Sequence, residues 1–203
     1  MTPKKKQTQN KILVLDTETS GLDRGDLILE IAIIEVDVKN HLTKTLYNEV
    51  VGYTEEQLSK FGTSKMDLSF AWIFDHSDLT PEMVFNAEKN IDVVIKEVQE
   101  IVKDQKVTCY WHNFDFYKFL DREPWNLNEF YKLKTQDIMI AAKDPCGLWE
   151  DWLNDNKNPK LNEAYDILCS VSGSQPHRAL VDAQMAAEVL LALIRSENYQ
   201  LSE

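Results

Sequence analysis

At 203 residues with 43% hydrophobic content, the chain is long enough to bury a sizeable core without covalent staples and suits one large domain. Its formal net charge of −12 argues against a general nucleic-acid coat, whose affinity comes from Lys and Arg neutralising phosphates, but not against an enzyme that grips a few nucleotides through metal ions. Three widely spaced cysteines, Cys109, Cys146 and Cys169, show no zinc spacing, and no membrane-length or signal-peptide run follows the basic N-terminus, so the sequence predicts a soluble cytoplasmic protein with no membrane partner.

Residues 1–10 read as a tail, with Lys4, Lys5 and Lys6 a solvated end that can also touch a phosphate backbone. Ile12, Leu13, Val14 and Leu15 form a continuous apolar run, as in a strand covered on both faces. It ends in Asp16-Thr17-Glu18, and Thr19, Ser20 and Gly21 turn the chain away. After a turn at 23–26, Leu27 to Val38 and Leu42 to Tyr53 read as second and third strands, joined by short links into an antiparallel meander on one side of the first. Glu55 to Phe61 suits a short helix, and Ser69 to His76, with Trp72 and Phe74, a loop packed on the core. Thr80-Pro81 is a helix start, and the helix begins there or restarts near Asn90. Ile91, Val94, Ile95, Val98, Ile101 and Val102 make an amphipathic stripe with a core face.

Val107 to Trp111 is a short strand broken by His112-Asn113, and Phe114 to Asp121 a helix. A strand near Tyr131 to Thr135 precedes a helix from its N-cap Asp137 through Ala142. Residues 143–160 read as a loop or insertion and Leu161 to Val171 as helical. Ser172 to Gln175 links to a last helix over Arg178 to Ser196, with a tail at 197–203. Without repeats or linkers, residues 11–196 form one α/β domain.

Four acids stand out. Side chains alternate across a strand, so Asp16 and Glu18 share a side. Two carboxylates there repel each other and lose hydration, a cost that a hard divalent cation recovers; a solvated turn with a capping Asp also fits the tripeptide. Asp115 follows a strand, where open α/β proteins place ligands, or is a helix N-terminal residue. Asp182 lies in the first two turns of an apolar helix, paired or metal-bound unless it points to solvent. On an unbroken helix His177 stands roughly 140° away from Asp182. If His177 precedes the helix, as Pro176 suggests, it folds back over a site containing Asp182. Together these residues make an inventory for two-metal phosphoryl chemistry.

On these residues the sequence resembles the DEDDh 3′–5′ exonucleases of the DnaQ-like, ribonuclease H-like superfamily. The first motif resembles Val14 to Leu22, and the third His177 to Leu193 with its His-x-x-x-x-Asp spacing. Between them, Trp111-His112-Asn113-Phe114-Asp115 is two residues shorter than the His-Asn-x-x-Phe-Asp of many members and closer to a Trp-x-x-x-Asp form. Ala186 stands where many members have Thr. The resemblance spans about residues 11–196 and implies a ribonuclease H-like α/β fold, a central mixed five-stranded sheet flanked by helices. It implies that Asp16, Glu18, Asp115 and Asp182 bind two Mg2+ or Mn2+ ions and that His177 is the general base. It further implies substrate contacts at Thr17, Thr19 and Leu22, with Asn113 and Phe114 beside them; Phe114 and Phe116 either stack on bases or belong to the core. The implied activity is hydrolysis of single-stranded DNA or RNA from its 3′ end, releasing nucleoside 5′-monophosphates. Alternatives are a proofreading subunit with a polymerase or other replication or repair partner, and a catalytically silent or partner-dependent nucleic-acid-binding module. The oligomeric state stays open.

Overall fold

The computed structural model describes residues 10–171 and 176–201; the expected tail with Lys4, Lys5 and Lys6 and the Ser172–Gln175 link lie outside them. The chain begins with three strands, β1 (Lys11–Thr19), β2 (Ile28–Asp37) and β3 (Leu42–Val50). Four helices follow, α1 (Glu55–Lys60), α2 (Lys65–Leu68), α3 (Ile73–His76) and α4 (Pro81–Phe85), and then the longer α5 (Ile91–Val102). After β4 (Lys106–Cys109), one α-helical turn α6 (His112–Phe114) passes into a π-helical stretch, Asp115–Leu120. The chain closes with β5 (Leu133–Lys134), α7 (Ile138–Cys146), a hairpin of β6 (Trp149–Glu150) and β7 (Asp155–Asn156), α8 (Leu161–Cys169) and α9 (Ala179–Arg195). Among the described residues no helix is long and apolar enough to cross a membrane.

The main sheet has the order β3-β2-β1-β4-β5. The β1/β2 and β2/β3 pairs are antiparallel, and β1/β4 and β4/β5 parallel. This is the expected mixed five-stranded sheet with the meander on one side of β1. The uninterrupted apolar run of β1 follows from burial on both faces. Leu13 and Leu15 pack in one core with the α5 stripe, Ile91, Val94, Ile95, Val98 and Val102. Ile12 and Val14 pack in the other core with Ala179, Ala183, Ala186 and Leu190 of α9. Period-two alternation therefore assigns the even-numbered residues of β1 to the α9 face.

Side-chain caps set several boundaries. Asn90 accepts the Val93 N–H (3.2 Å), and Asp137 accepts the Ile140 N–H (3.1 Å), as its N-cap position predicts. The Thr80-Pro81 start and the restart at Asn90 both occur, as two separate helices. Two expectations need correction. The segment expected as a loop over Ser69–His76 ends in the helical turn α3, preceded by α2, whose N-cap Ser64 accepts the Asp67 N–H (3.1 Å). Single turns are too short to display a period. The 143–160 segment is not a simple loop either: α7 runs on to Cys146, stops at Gly147 with φ +61°, and the β6/β7 hairpin follows. Tyr199, beyond α9, is buried, and its hydroxyl donates to the Gln136 carbonyl (2.5 Å).

Candidate active site

β1 pairs with β2 up to Glu18↔Glu30, and the register shifts only between Glu18 and Thr19. Asp16 and Glu18 thus sit within the strand rather than in a solvated turn beyond it. Their parity turns them to the side where α9 packs, and α9 brings Asp182, 2% exposed, against them. Asp115 opens the π-helical stretch after β4 and is also buried. The Thr17 hydroxyl on the neighbouring strand donates to its Oδ1 (2.8 Å). A π-helical turn shifts the side chains out of the α-helical rhythm and recurs at functional sites.

His177 precedes α9, with φ +51°, a left-handed backbone rare for a residue other than Gly. The break in helical geometry removes the angular offset of an unbroken helix. Donor atoms of Glu18, His177 and Asp182 lie within 4.8 Å of one another. Asp16 and Asp115 line the same cavity, of about 540 Å³, as do Thr17, Thr19, Leu22 and Phe114. Asn113 is exposed and is not among the lining residues. Phe116 is fully buried in the core. His112 is buried behind the site, its Nε2 3.1 Å from the Thr108 hydroxyl and its backbone N–H bonded to Asp137 (2.8 Å). Burial, and secondarily Lys134, pushes its pKa down to about 4, so it stays neutral and structural.

The sequence reading missed Glu30. It lies opposite Glu18 on β2 and is 1% exposed. Arg178 clamps it, Nη2 to Oε1 at 2.7 Å and Nε to Oε2 at 3.0 Å, and the Ala179 N–H donates to Oε2 (3.0 Å). The residue at the N-cap of α9 offers no side-chain cap of its own. A carboxylate from the sheet does that work and fixes the residue next to His177. The available signals were a Glu inside the apolar run Leu27–Val38 and an Arg directly after His177. Two aromatic walls were also missed. Trp111 stacks on Phe114 with ring centroids 5.6 Å apart, and Trp72 meets His177 edge to face at 5.5 Å.

Burial, and then repulsion from Asp115, Asp182, Glu18 and Glu30, raises the Asp16 pKa well above the carboxylate range. Burial raises Glu18 in the same way, reinforced by Asp182, Glu30 and Asp115 and opposed by Arg178. Asp115 is raised by burial and partly relieved by the Thr17 hydroxyl. Burial, then His76, lowers His177. Full ionisation of Asp16 and Glu18 is thus disfavoured. Hard oxygen donors in that condition, with one imidazole beside them, suit a divalent cation.

The family model described as an exonuclease domain, RNase_T, matches residues 13–190. No curated protein matches the chain by sequence. Among solved structures, the chain is similar to the nuclease domain of 3′hExo, a DEDDh family member bound to rAMP, with TM-score 0.63 and 14% identity. That match covers 97% of this chain and 98% of that one. It is similar to E. coli Exonuclease I in complex with a 5cy-dT13 oligonucleotide, with TM-score 0.63 and 14% identity over 91% of this chain and 40% of that one. A full-length 3′-exonuclease matches with TM-score 0.61 and 11% identity over 95% of this chain, which spans 63% of that protein. At these identities the likeness is one of fold.

Proposed function

The chain belongs to the RNase_T exonuclease family, and on that premise we propose that it is a metal-dependent 3′–5′ exonuclease that removes nucleoside 5′-monophosphates from the 3′ ends of single-stranded DNA or RNA. The observation that carries this reading is the convergence of Glu18, His177 and Asp182 donors within 4.8 Å, in the cavity that Asp16 and Asp115 also line. Asp16 and Glu18, whose charged forms are disfavoured by burial and by neighbouring carboxylates, together with the buried Asp115 and Asp182 fit two Mg2+ or Mn2+ ions. Such ions supply charge neutralisation at the phosphate, an acidified water and a stabilised leaving oxygen.

The rest falls to the protein's own side chains. His177 takes the proton of the attacking water. Its lowered pKa keeps it neutral, and so able to accept, at physiological pH. The water oxygen bonds to phosphorus, the bond to the 3′-oxygen of the preceding nucleotide breaks, and that oxygen leaves as an alkoxide that takes a proton from solvent water. The backbone at Thr17 and Thr19 holds the terminal nucleotide. Leu22, 70% exposed at the cavity lip, packs on its base together with Phe114. Apolar and aromatic faces accept any base, which suits degradation. Asn113, on the outer surface beside Phe114, reaches only the flank of a bound strand.

The test is degradation of matched 5′-labelled single-stranded DNA and RNA in Mg2+, Mn2+ or EDTA. A ladder shortening from the 3′ end only with metal is expected. Absence of cleavage with metal bound replaces this reading with a silent or partner-dependent binding module.

A further inference from the structure

A second cavity, of about 280 Å³, is walled by Arg24, Lys60 and Lys118 over aromatic side chains that include Phe61 and Trp125. In a chain of net charge −12, three cations around one hollow call for an anionic occupant. The hollow shares a wall with the carboxylate site. Leu22 lines the first cavity, and Arg24, two residues on, the second. Phe114 lines the first, and Lys118, four residues on, the second. Lys118 joins the two walls: its Nζ donates to the Leu22 carbonyl (2.5 Å) and lies 5.5 Å from the Phe114 ring centroid.

Two carboxylates also line the hollow, Asp26 and Glu123. Asp26 is held inside its own turn, accepting the Asp23 N–H (2.7 Å) and the Ser20 hydroxyl (3.3 Å). Glu123 is exposed and opposes the cations. Lys60 is joined to Glu56 (2.8 Å), both side chains largely in water, where such a pair is weak and easily exchanged for a phosphate. Among the described residues no hydrogen bond or ion pair engages the Arg24 guanidinium, and Arg binds phosphate in a bidentate fork.

We propose that this second cavity holds a backbone phosphate of the nucleic-acid strand as it runs out of the carboxylate site over Leu22. The proposal rests on the exonuclease reading above. The strand threads from the catalytic cavity across the Leu22–Lys118 ridge into the cationic hollow, and a sugar or base lies on the aromatic floor. The interaction is with the backbone, so it recognises polyanion length rather than sequence.

The test compares wild type with Arg24→Gln/Lys60→Gln, leaving Lys118 in place because it also holds the Leu22 carbonyl. Two substrates are used: a single-stranded decanucleotide, and a nitrophenyl ester of a nucleoside 5′-monophosphate, which has no upstream phosphate. For the decanucleotide, KM is expected to rise roughly tenfold at low salt, and the slope of log KM against log salt to become shallower by roughly 0.7 for each phosphate that is no longer neutralised. Turnover of the ester should not change. Glu123→Gln should move the decanucleotide KM the opposite way, downward. If the double variant keeps the wild-type KM and salt slope on the decanucleotide, the second site is wrong while the exonuclease reading stands. If wild type cleaves neither substrate, it is the exonuclease reading that fails.

Discussion

Asp16→Asn keeps the size of one member of a crowded carboxylate cluster and removes its charge. Cleavage should be abolished in the ladder assay. The melting temperature in EDTA should not fall, because burial and neighbouring carboxylates already disfavour the Asp16 anion; a large drop would make Asp16 structural. His177→Ala should cut turnover by about 10²–10⁴-fold, the usual scale for losing a general base. Ion affinity, measured by calorimetry, should persist. A parallel loss of ion affinity would make His177 a ligand instead, since its donor atoms stand within 4.8 Å of those of Glu18 and Asp182. These residues are legible in sequence for local reasons. Strand parity alone puts Asp16 and Glu18 on one face, and Pro176 before His177 signals that the imidazole lies outside the helix. Glu30 and Trp72 are not legible, because their meaning lies in remote partners. Glu30 meets Arg178, 148 residues along the chain, and Trp72 packs on His177.

At the scale of elements, α9 depends on a clamp from β2. Arg178→Met leaves Glu30 buried without a counter-charge, its remaining partner the Ala179 N–H. Removing one partner of a buried pair costs about 3–5 kcal/mol, and the denaturation midpoint should fall accordingly. Glu30→Leu/Arg178→Met should regain much of that stability, because no lone charge remains inside. Its kcat should stay low, because the residue beside His177 has lost its anchor. Recovery of stability and turnover together would reduce the clamp to a packing role. The long elements, β1 to β3, α5 and α9, are readable because each carries enough residues to establish a period or an unbroken apolar run. The turns α2 and α3 carry four residues each, set by caps rather than by pattern. The helix over Phe114–Asp121 is readable as a helix, but its π-helical winding is not, since both windings draw on the same residues.

For the whole molecule, protonation and metal binding are linked. Raised pKa values at Asp16, Glu18 and Asp115 mean that these groups hold more protons in the folded, metal-free chain than in the unfolded chain from about pH 4 upward. Their contribution to stability is therefore lost as pH rises through the raised values. The lowered pKa values of His112 and His177 act oppositely, and that effect is complete near their unfolded value of about 6.5. Above about pH 6.5 the melting temperature in EDTA should fall with increasing pH. Mg2+ or Mn2+ should flatten the fall, with a gain of about 2.7 kcal/mol at a hundred times Kd. An EDTA curve flat from pH 6.5 to 8.5 would contradict the carboxylate shifts. The course of the backbone sets a further condition on when activity can begin. β1, β2 and β3 pair with near neighbours in the chain, whereas Asp182 comes to Glu18 from the distant last helix, α9. A chain truncated before residue 182 keeps Asp16, Glu18 and Asp115 but lacks Asp182 and the helix that carries it, so it is expected to show no metal-dependent cleavage in the ladder assay.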